Sequence, residues 1–218
     1  LRKKFDQLVV CIELIPIFIG LPVLFSFVDS RWKIHATLWV VDLYALLILS
    51  RSRDFSWRTI WQGQHWDTHS KRWALIRFII AIPLIIGMTL WLVPDRLFSF
   101  PAQRPVLWLA VMCLYPVLSV VPQEFLFRTF FFQRYARFFP EPWPMIIISG
   151  LSFGFVHIIF HNWIAPILSI IGGLMFAHSY RQHRSLKWAV IEHAAYGCML
   201  FTVGVGIFFV VNAWRANL

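Results

Sequence analysis

Charge is scarce in this sequence. Only 14% of its 218 residues are Asp, Glu, Lys or Arg, against about 25% in an ordinary soluble domain. With 59% hydrophobic residues and a mean hydropathy of +0.68, the shortage excludes a water-soluble globule. Cysteine is scarcer still. Cys11, Cys113 and Cys198 all lie in apolar runs; an odd set in such runs excludes a disulfide framework and leaves small packing residues. Period-two alternation is missing, which argues against barrel strands. No small-residue cleavage site follows the first apolar run, so no cleavable signal peptide is expected. Inverted internal repeats, the mark of many transporters, are also lacking. The net charge is +10, but the basic residues fall in short clusters between apolar runs and not along one face of a soluble module. Nucleic acid is therefore not an expected partner, whereas the anionic headgroups of a lipid bilayer are.

What the chain does have is apolar runs. A spanning helix needs about 20 mostly apolar residues. Suitable runs cover 8–28, 34–50, 74–93, 105–133 with a break at Pro122, 143–161, 163–180 and 188–211. The last reads as one long helix or two pieces, given Gly197, Gly204 and Gly206. The expectation is an all-α bundle of seven or eight transmembrane helices, forming a single polytopic membrane domain over residues 1–218. With the N-terminus in the cytoplasm, fifteen of the twenty Lys and Arg residues face inward; Arg31, Lys33, Arg96, Arg104 and Arg215 face outward. That asymmetry predicts a cytoplasmic N-terminus. Trp57, Trp61, Trp66 and Trp73, mixed with the charges of 51–73, predict a segment lying in the headgroup layer. Ser169, Gly173 and Ala177 recur every four residues and predict a face for close helix packing.

Ionisable residues inside spans are costly and point to function. Glu13, near the basic N-terminus, reads as half of a structural ion pair near the interface. Asp42 lies mid-helix with no partner identifiable in the sequence, and His178 sits beside a basic loop. Glu192 and His193 are neighbours about 100° apart on a helix, so they cannot line one cavity equally. The strongest cluster is Gln123-Glu124-Phe125-Leu126-Phe127-Arg128. Glu124 and Arg128 are one turn apart and able to pair. Pro122 loosens the backbone ladder beside them, as happens next to protein-lined cavities. Phe153-Gly154-Phe155-Val156-His157 follows, with His161 four residues on. That spacing suits a metal, but His-Ile-Ile-Phe-His lacks the glutamate of a zinc-protease helix, and His161 falls near the end of its span. The third piece is Ile191-Glu192-His193-Ala194-Ala195-Tyr196-Gly197. At helical rise, Glu124, His157 and His193 lie about 15, 18 and 9 Å below the inner surface, a broadly similar depth.

Glu-x-x-x-Arg, Phe-x-x-x-His and a later helical His, in that order on an apolar chain, resemble the CPBP intramembrane proteases. That family includes CAAX prenyl endopeptidases and bacteriocin-processing or self-immunity proteins. The resemblance covers about 105–211. It implies an endopeptidase acting on a membrane-associated peptide or protein substrate, in a bacterial inner membrane. In the family pattern a glutamate occupies the position of Gln123 and an asparagine that of Gly197. The first glutamate and the Phe-motif histidine are thought to activate water, and the last histidine and asparagine to stabilise the oxyanion. Applied here, the resemblance makes Glu124 the base, with His157 positioning the water. His193 then serves the oxyanion with Gln123 as an added donor, and Arg128 pairs with Glu124. A zinc version would use Glu124, His157 and His193 as ligands. The two departures also fit a catalytically inactive relative acting as a membrane scaffold or bacteriocin-immunity protein.

Overall fold

A computed structural model describes residues 8, 10–28, 31–52, 55–64, 66–139 and 141–210. Arg2, Lys3, Lys4, Arg53 and Arg215 of the charge argument lie outside them, as does the side chain of Cys11. Among the described residues every regular element is helical and there is no strand. A continuously apolar chain must satisfy its backbone groups internally, and helices do so within each segment.

The elements are α1 (Ile12–Ser26), α2 (Arg31–Ser50), α3 (Trp57–Gln62), α4 (Thr68–Leu92), α5 (Ser99–Gln103), α6 (Pro105–Arg134), α7 (Pro142–Phe155), α8 (Ile164–His183) and α9 (Leu186–Val203). A 3₁₀ turn over Val156–Phe160 extends α7, and another over Val205–Phe209 follows α9. Four helical stretches are long and apolar enough to cross a membrane: Trp32–Ser50, Thr68–Leu92, Pro105–Arg134 and Pro142–Phe160. Their outer faces carry Leu43, Leu84, Trp91, Val106 and Leu109, with Trp91 and Val106 each 82% exposed. Apolar faces of that extent need lipid and not water against them, so the chain is an integral membrane protein.

The expected break at Pro122 does not occur. Val120 (φ −70°, ψ −47°) and Phe125 (φ −63°, ψ −48°) keep right-handed helical backbone on either side. The helix accommodates its prolines by widening: π-helical turns cover Pro116–Val120 and Phe125–Phe130. Proline cannot donate to the turn before it and its ring crowds that turn. A wider turn relieves both, and such turns gather at functional sites. The run over 188–211 resolves as an α-helix ended at Gly204 and a 3₁₀ turn beyond it.

The expected small-residue face is present. Ser169 and Ala177 are buried, and a methyl group on Gly173 would lie 2.9 Å from the Gly150 carbonyl oxygen and 3.0 Å from the Phe153 ring. This close approach of α8 to α7 fixes the end of α7 that carries Phe153. The tryptophan segment is more ordered than a headgroup anchor requires. Trp57 and Trp73 are about half exposed, but Trp66 is 4% exposed and stacks on Trp188 at 4.7 Å. Gln64 N–H donates to the His183 carbonyl at 2.7 Å. Ser185 Oγ donates to the Trp61 carbonyl at 3.2 Å. The segment therefore clamps the turn between α8 and α9, and Trp66 is a packing residue.

Candidate active site

The site is built outward from a charge pair on α6. Glu124 and Arg128 are fully buried, with Arg128 Nε 3.1 Å from Glu124 Oε2. The N–H is not aligned with that oxygen, so the contact is an ion pair without a hydrogen bond. Arg128 Nη1 donates to Ser149 Oγ of α7 at 2.7 Å, and that hydroxyl donates to the Phe127 carbonyl at 2.8 Å. The guanidinium carbon stands 5.1 Å from the centre of the Phe153 ring. A buried cation held by a carboxylate, a hydroxyl and an aromatic face is compensated on several sides.

The other Glu124 oxygen, Oε1, accepts from His193 Nδ1 of α9 at 2.8 Å. That bond places a proton on Nδ1 and turns Nε2 toward the Tyr115 hydroxyl, 3.1 Å away. His193 also stacks on Phe176 (5.0 Å, 19°) and meets Phe153 edge-on (5.3 Å, 88°). His157 lies against the same Phe153 ring at 5.0 Å. Its Nδ1 is 2.7 Å from the Phe153 carbonyl. A carbonyl only accepts, so Nδ1 carries the proton and Nε2 is left as an acceptor. Phe153 is thus the hub that spaces both imidazoles and the guanidinium.

A cavity of about 810 Å³ opens among α4, α6, α8 and α9, and its walls are mostly apolar. Tyr115, Ser119, Gln123, His157 and His193 stand together on its wall, and Arg77, His35, Ser169 and Tyr196 are also on the lining. A smaller cavity of about 130 Å³ reaches toward α1 and α2 and shares Ser119, Gln123 and His157. Gln123 Nε2 donates to Ser119 Oγ at 2.7 Å, while Gln123 Oε1 is buried without a hydrogen-bond partner among the described residues.

The sequence-derived site residues are thus brought together in two layers. Gln123, His157 and His193 face the cavity; Glu124 and Arg128 stand behind His193 with no exposed surface. The zinc set of Glu124, His157 and His193 does not form. Both Glu124 oxygens and both His193 nitrogens have protein neighbours, and no group of three His, Cys, Asp or Glu side chains among the described residues is disposed to hold a metal. His161 has left-handed backbone (φ 52°) at the end of the 3₁₀ turn and is exposed, off the His157 face.

The remaining ionisable residues stand apart from the Glu124–His193 cluster. Glu192 is paired with Arg77 at 2.6 Å, on a different side of α9 from His193. Glu13 is in an ion pair, but its partner is Arg134 at the end of α6 (2.7 Å), supported by Tyr135 and Tyr44. Asp42 is buried, and neither oxygen has a hydrogen-bond partner among the described residues. His178 stacks on Trp143 at 5.8 Å. Sequence reasoning missed Tyr115 and Ser149. For Tyr115 a signal existed: Tyr115, Ser119 and Gln123 are spaced by four on α6 and so share a face.

The family model described as Type II CAAX prenyl endopeptidase, Rce1-like, matches residues 104–199. This span holds α6, α7, α8, most of α9 and Tyr115, Gln123, Glu124, Arg128, His157 and His193, and it agrees with the resemblance to CPBP proteases. No curated protein and no solved structure matches the chain.

Proposed function

We propose that this chain, whose motif region matches an endopeptidase family model, is an intramembrane endopeptidase of the CPBP type that hydrolyses a peptide bond of a membrane-associated substrate. The observation that carries the reading is a pair of imidazoles in different hydrogen-bonding states on one cavity wall. His157 Nε2 is a free acceptor, while His193 is held by a carboxylate through Nδ1. Peptide hydrolysis needs one base for water and one group for the developing oxyanion.

In this scheme a water takes its place between His157 Nε2 and the unpartnered Gln123 Oε1. The water oxygen bonds to the substrate carbonyl carbon as its proton passes to His157 Nε2. Negative charge gathers on the former carbonyl oxygen and is met on the His193 side. The C–N bond then breaks, and His157 returns the proton to the leaving amine, leaving a carboxylic acid and an amine. Glu124 acts through His193 and not on the water, because its oxygens are occupied and sealed from the cavity. Its pairing with Arg128 keeps the carboxylate available to the Nδ1 proton of His193.

The protein sits in a bacterial inner membrane with a cytoplasmic N-terminus, and seven helices cross: α1, α2, α4, α6, α7, α8 and α9. Helices α8 and α9, with 20 and 18 residues, are about 30 and 27 Å long at helical rise, sufficient for the hydrocarbon layer.

A second reading is favoured by Gln123 and Gly197, which remove two polar groups of the family pattern: an inactive relative serving as a membrane scaffold or bacteriocin-immunity protein. The test is reconstitution in lipid with membrane-proximal peptides, comparing wild type with His193→Ala and Gln123→Glu. Cleavage by wild type that His193→Ala abolishes supports the protease. Equal cleavage by both removes the assigned site. Cleavage only by Gln123→Glu supports the inactive relative.

A further inference from the structure

Among the described residues Tyr115 is the hydroxyl that reaches His193, and the backbone around it is shaped to admit its ring. It is the last residue before the π-helical turn Pro116–Val120, and its ring packs edge-on against Phe201 at 5.4 Å. Across from it, one helical turn beyond His193, stands Gly197. A Cβ on Gly197 would collide with the phenol oxygen and Cε1 of Tyr115. Any side chain at 197 would therefore fill the volume that the phenol now fills. Being one turn from His193, it would share that residue's face.

We propose that Tyr115 is a catalytic residue whose hydroxyl donates the hydrogen bond to the tetrahedral oxyanion, at the end of the chain Glu124–His193–Tyr115. The inference rests on the endopeptidase reading of the site. A phenol carries one donor and two acceptor lone pairs, and its O–H rotates to suit its partners. With no anion present and His193 neutral, Nδ1–H points to Glu124 and the bare Nε2 accepts from Tyr115 O–H. When the oxyanion forms, the phenol O–H turns from His193 Nε2 toward the cavity that Tyr115 lines, while His193 stays neutral with Nδ1–H held by Glu124 at 2.8 Å. The phenol oxygen is held in place by Phe201 and Gly197 before the reaction begins, so only the O–H rotor has to turn, and little reorganisation accompanies the developing charge. The absence of a side chain at Gly197 is then a requirement for the phenol to stand where it does.

The test combines cleavage with binding of a peptidyl phosphinate, a tetrahedral anion, and of its planar uncleaved peptide counterpart, all with the full chain in lipid. Tyr115→Phe is expected to lower kcat by about 10²–10³-fold with KM unchanged. It should weaken the phosphinate by at least about tenfold and leave planar-peptide binding intact. Gly197→Asn alone should lose both activities through the collision. Tyr115→Ala/Gly197→Asn should recover activity over Tyr115→Ala, because the amide can then occupy the vacated volume. If wild type cleaves while Tyr115→Phe retains wild-type kcat and phosphinate affinity, the Tyr115 assignment is overturned and the endopeptidase reading stands. If wild type does not cleave yet binds phosphinate through the Tyr115 hydroxyl, the endopeptidase reading fails and the donor assignment stands. Wild type that neither cleaves nor binds phosphinate overturns both.

Discussion

At the scale of single residues, the site depends on a guanidinium that has been taken out of water. Arg128 is fully buried and keeps its position through Glu124, Ser149 and the Phe153 ring. Removing one partner of a buried pair leaves the other uncompensated, at about 3–5 kcal/mol. Glu124→Ala should therefore cost folding as well as function, and thermal unfolding in detergent should fall well below that of Glu124→Gln. Ser149→Ala removes the hydroxyl between Arg128 and the Phe127 carbonyl. It is expected to lower stability by about 1–3 kcal/mol, read from the same melts, although Ser149 touches no part of the cavity. The Glu124–Arg128 pair was legible in the sequence, since residues four apart on a helix meet whatever the rest of the fold does. Which way the pair faces was not. Gln123 and Glu124 are about 100° apart on α6, so only one of them can line the cavity, and the packing of α7 and α9 selects Gln123. Tyr115 was missed because an isolated tyrosine in an apolar run resembles any other core aromatic until Gly197 is placed opposite it.

At the scale of elements, the apolar runs were enough to locate the helices, while their internal geometry depended on tertiary packing. Pro122 looked like a break from local rules; the surrounding helices hold α6 continuous and the strain goes into two wide turns. Trp66 looked interfacial because tryptophan beside basic residues usually is, but a stacking partner 122 positions away, Trp188, buries it. The Ser169–Gly173–Ala177 face was read correctly because small residues at a four-residue spacing have few other uses. Its consequence for the site follows from the structure: Gly173 lies against Phe153, the ring that spaces both histidines. Gly173→Leu should wedge α8 from α7, lower stability by about 1–3 kcal/mol through overpacking and reduce cleavage. Gly87→Leu, at a position with open space around it, should leave both nearly unchanged. Melting temperature and cleavage rate, measured on the same preparations, check this pairing.

At the scale of the whole molecule, the chain is a bundle whose outer surface is suited to lipid and whose inner polar groups converge from α6, α7 and α9. In the proposed topology the α3 region and the α5 region lie on opposite sides of the bilayer. In a background with its cysteines replaced by serine, a single cysteine at exposed Gln64 should be labelled by an impermeant maleimide only from the cytoplasmic side. One at exposed Gln103 should be labelled only from the other side. Gln64 labelled only from the outer side and Gln103 only from the cytoplasmic side would overturn the proposed orientation, and labelling of both from one side would overturn the crossing by α4. The all-helical class and the three motif helices were legible in the sequence because membrane solvation makes apolar length and rare ionisable residues informative. The layered arrangement, with Glu124 behind His193 and His157 free at the cavity, required the structure, since helix rotation about its own axis leaves no mark on a uniformly apolar segment. In the proposed reaction His157 draws a proton from water at this cavity. Its most direct test is mass spectrometry of a membrane-proximal peptide incubated in ¹⁸O-enriched water with wild type or His157→Gln protein in liposomes. One heavy oxygen is expected in the new carboxyl terminus with wild type, and no cleavage with His157→Gln. Cleavage with heavy-oxygen incorporation that proceeds equally in the His157→Gln protein would contradict it.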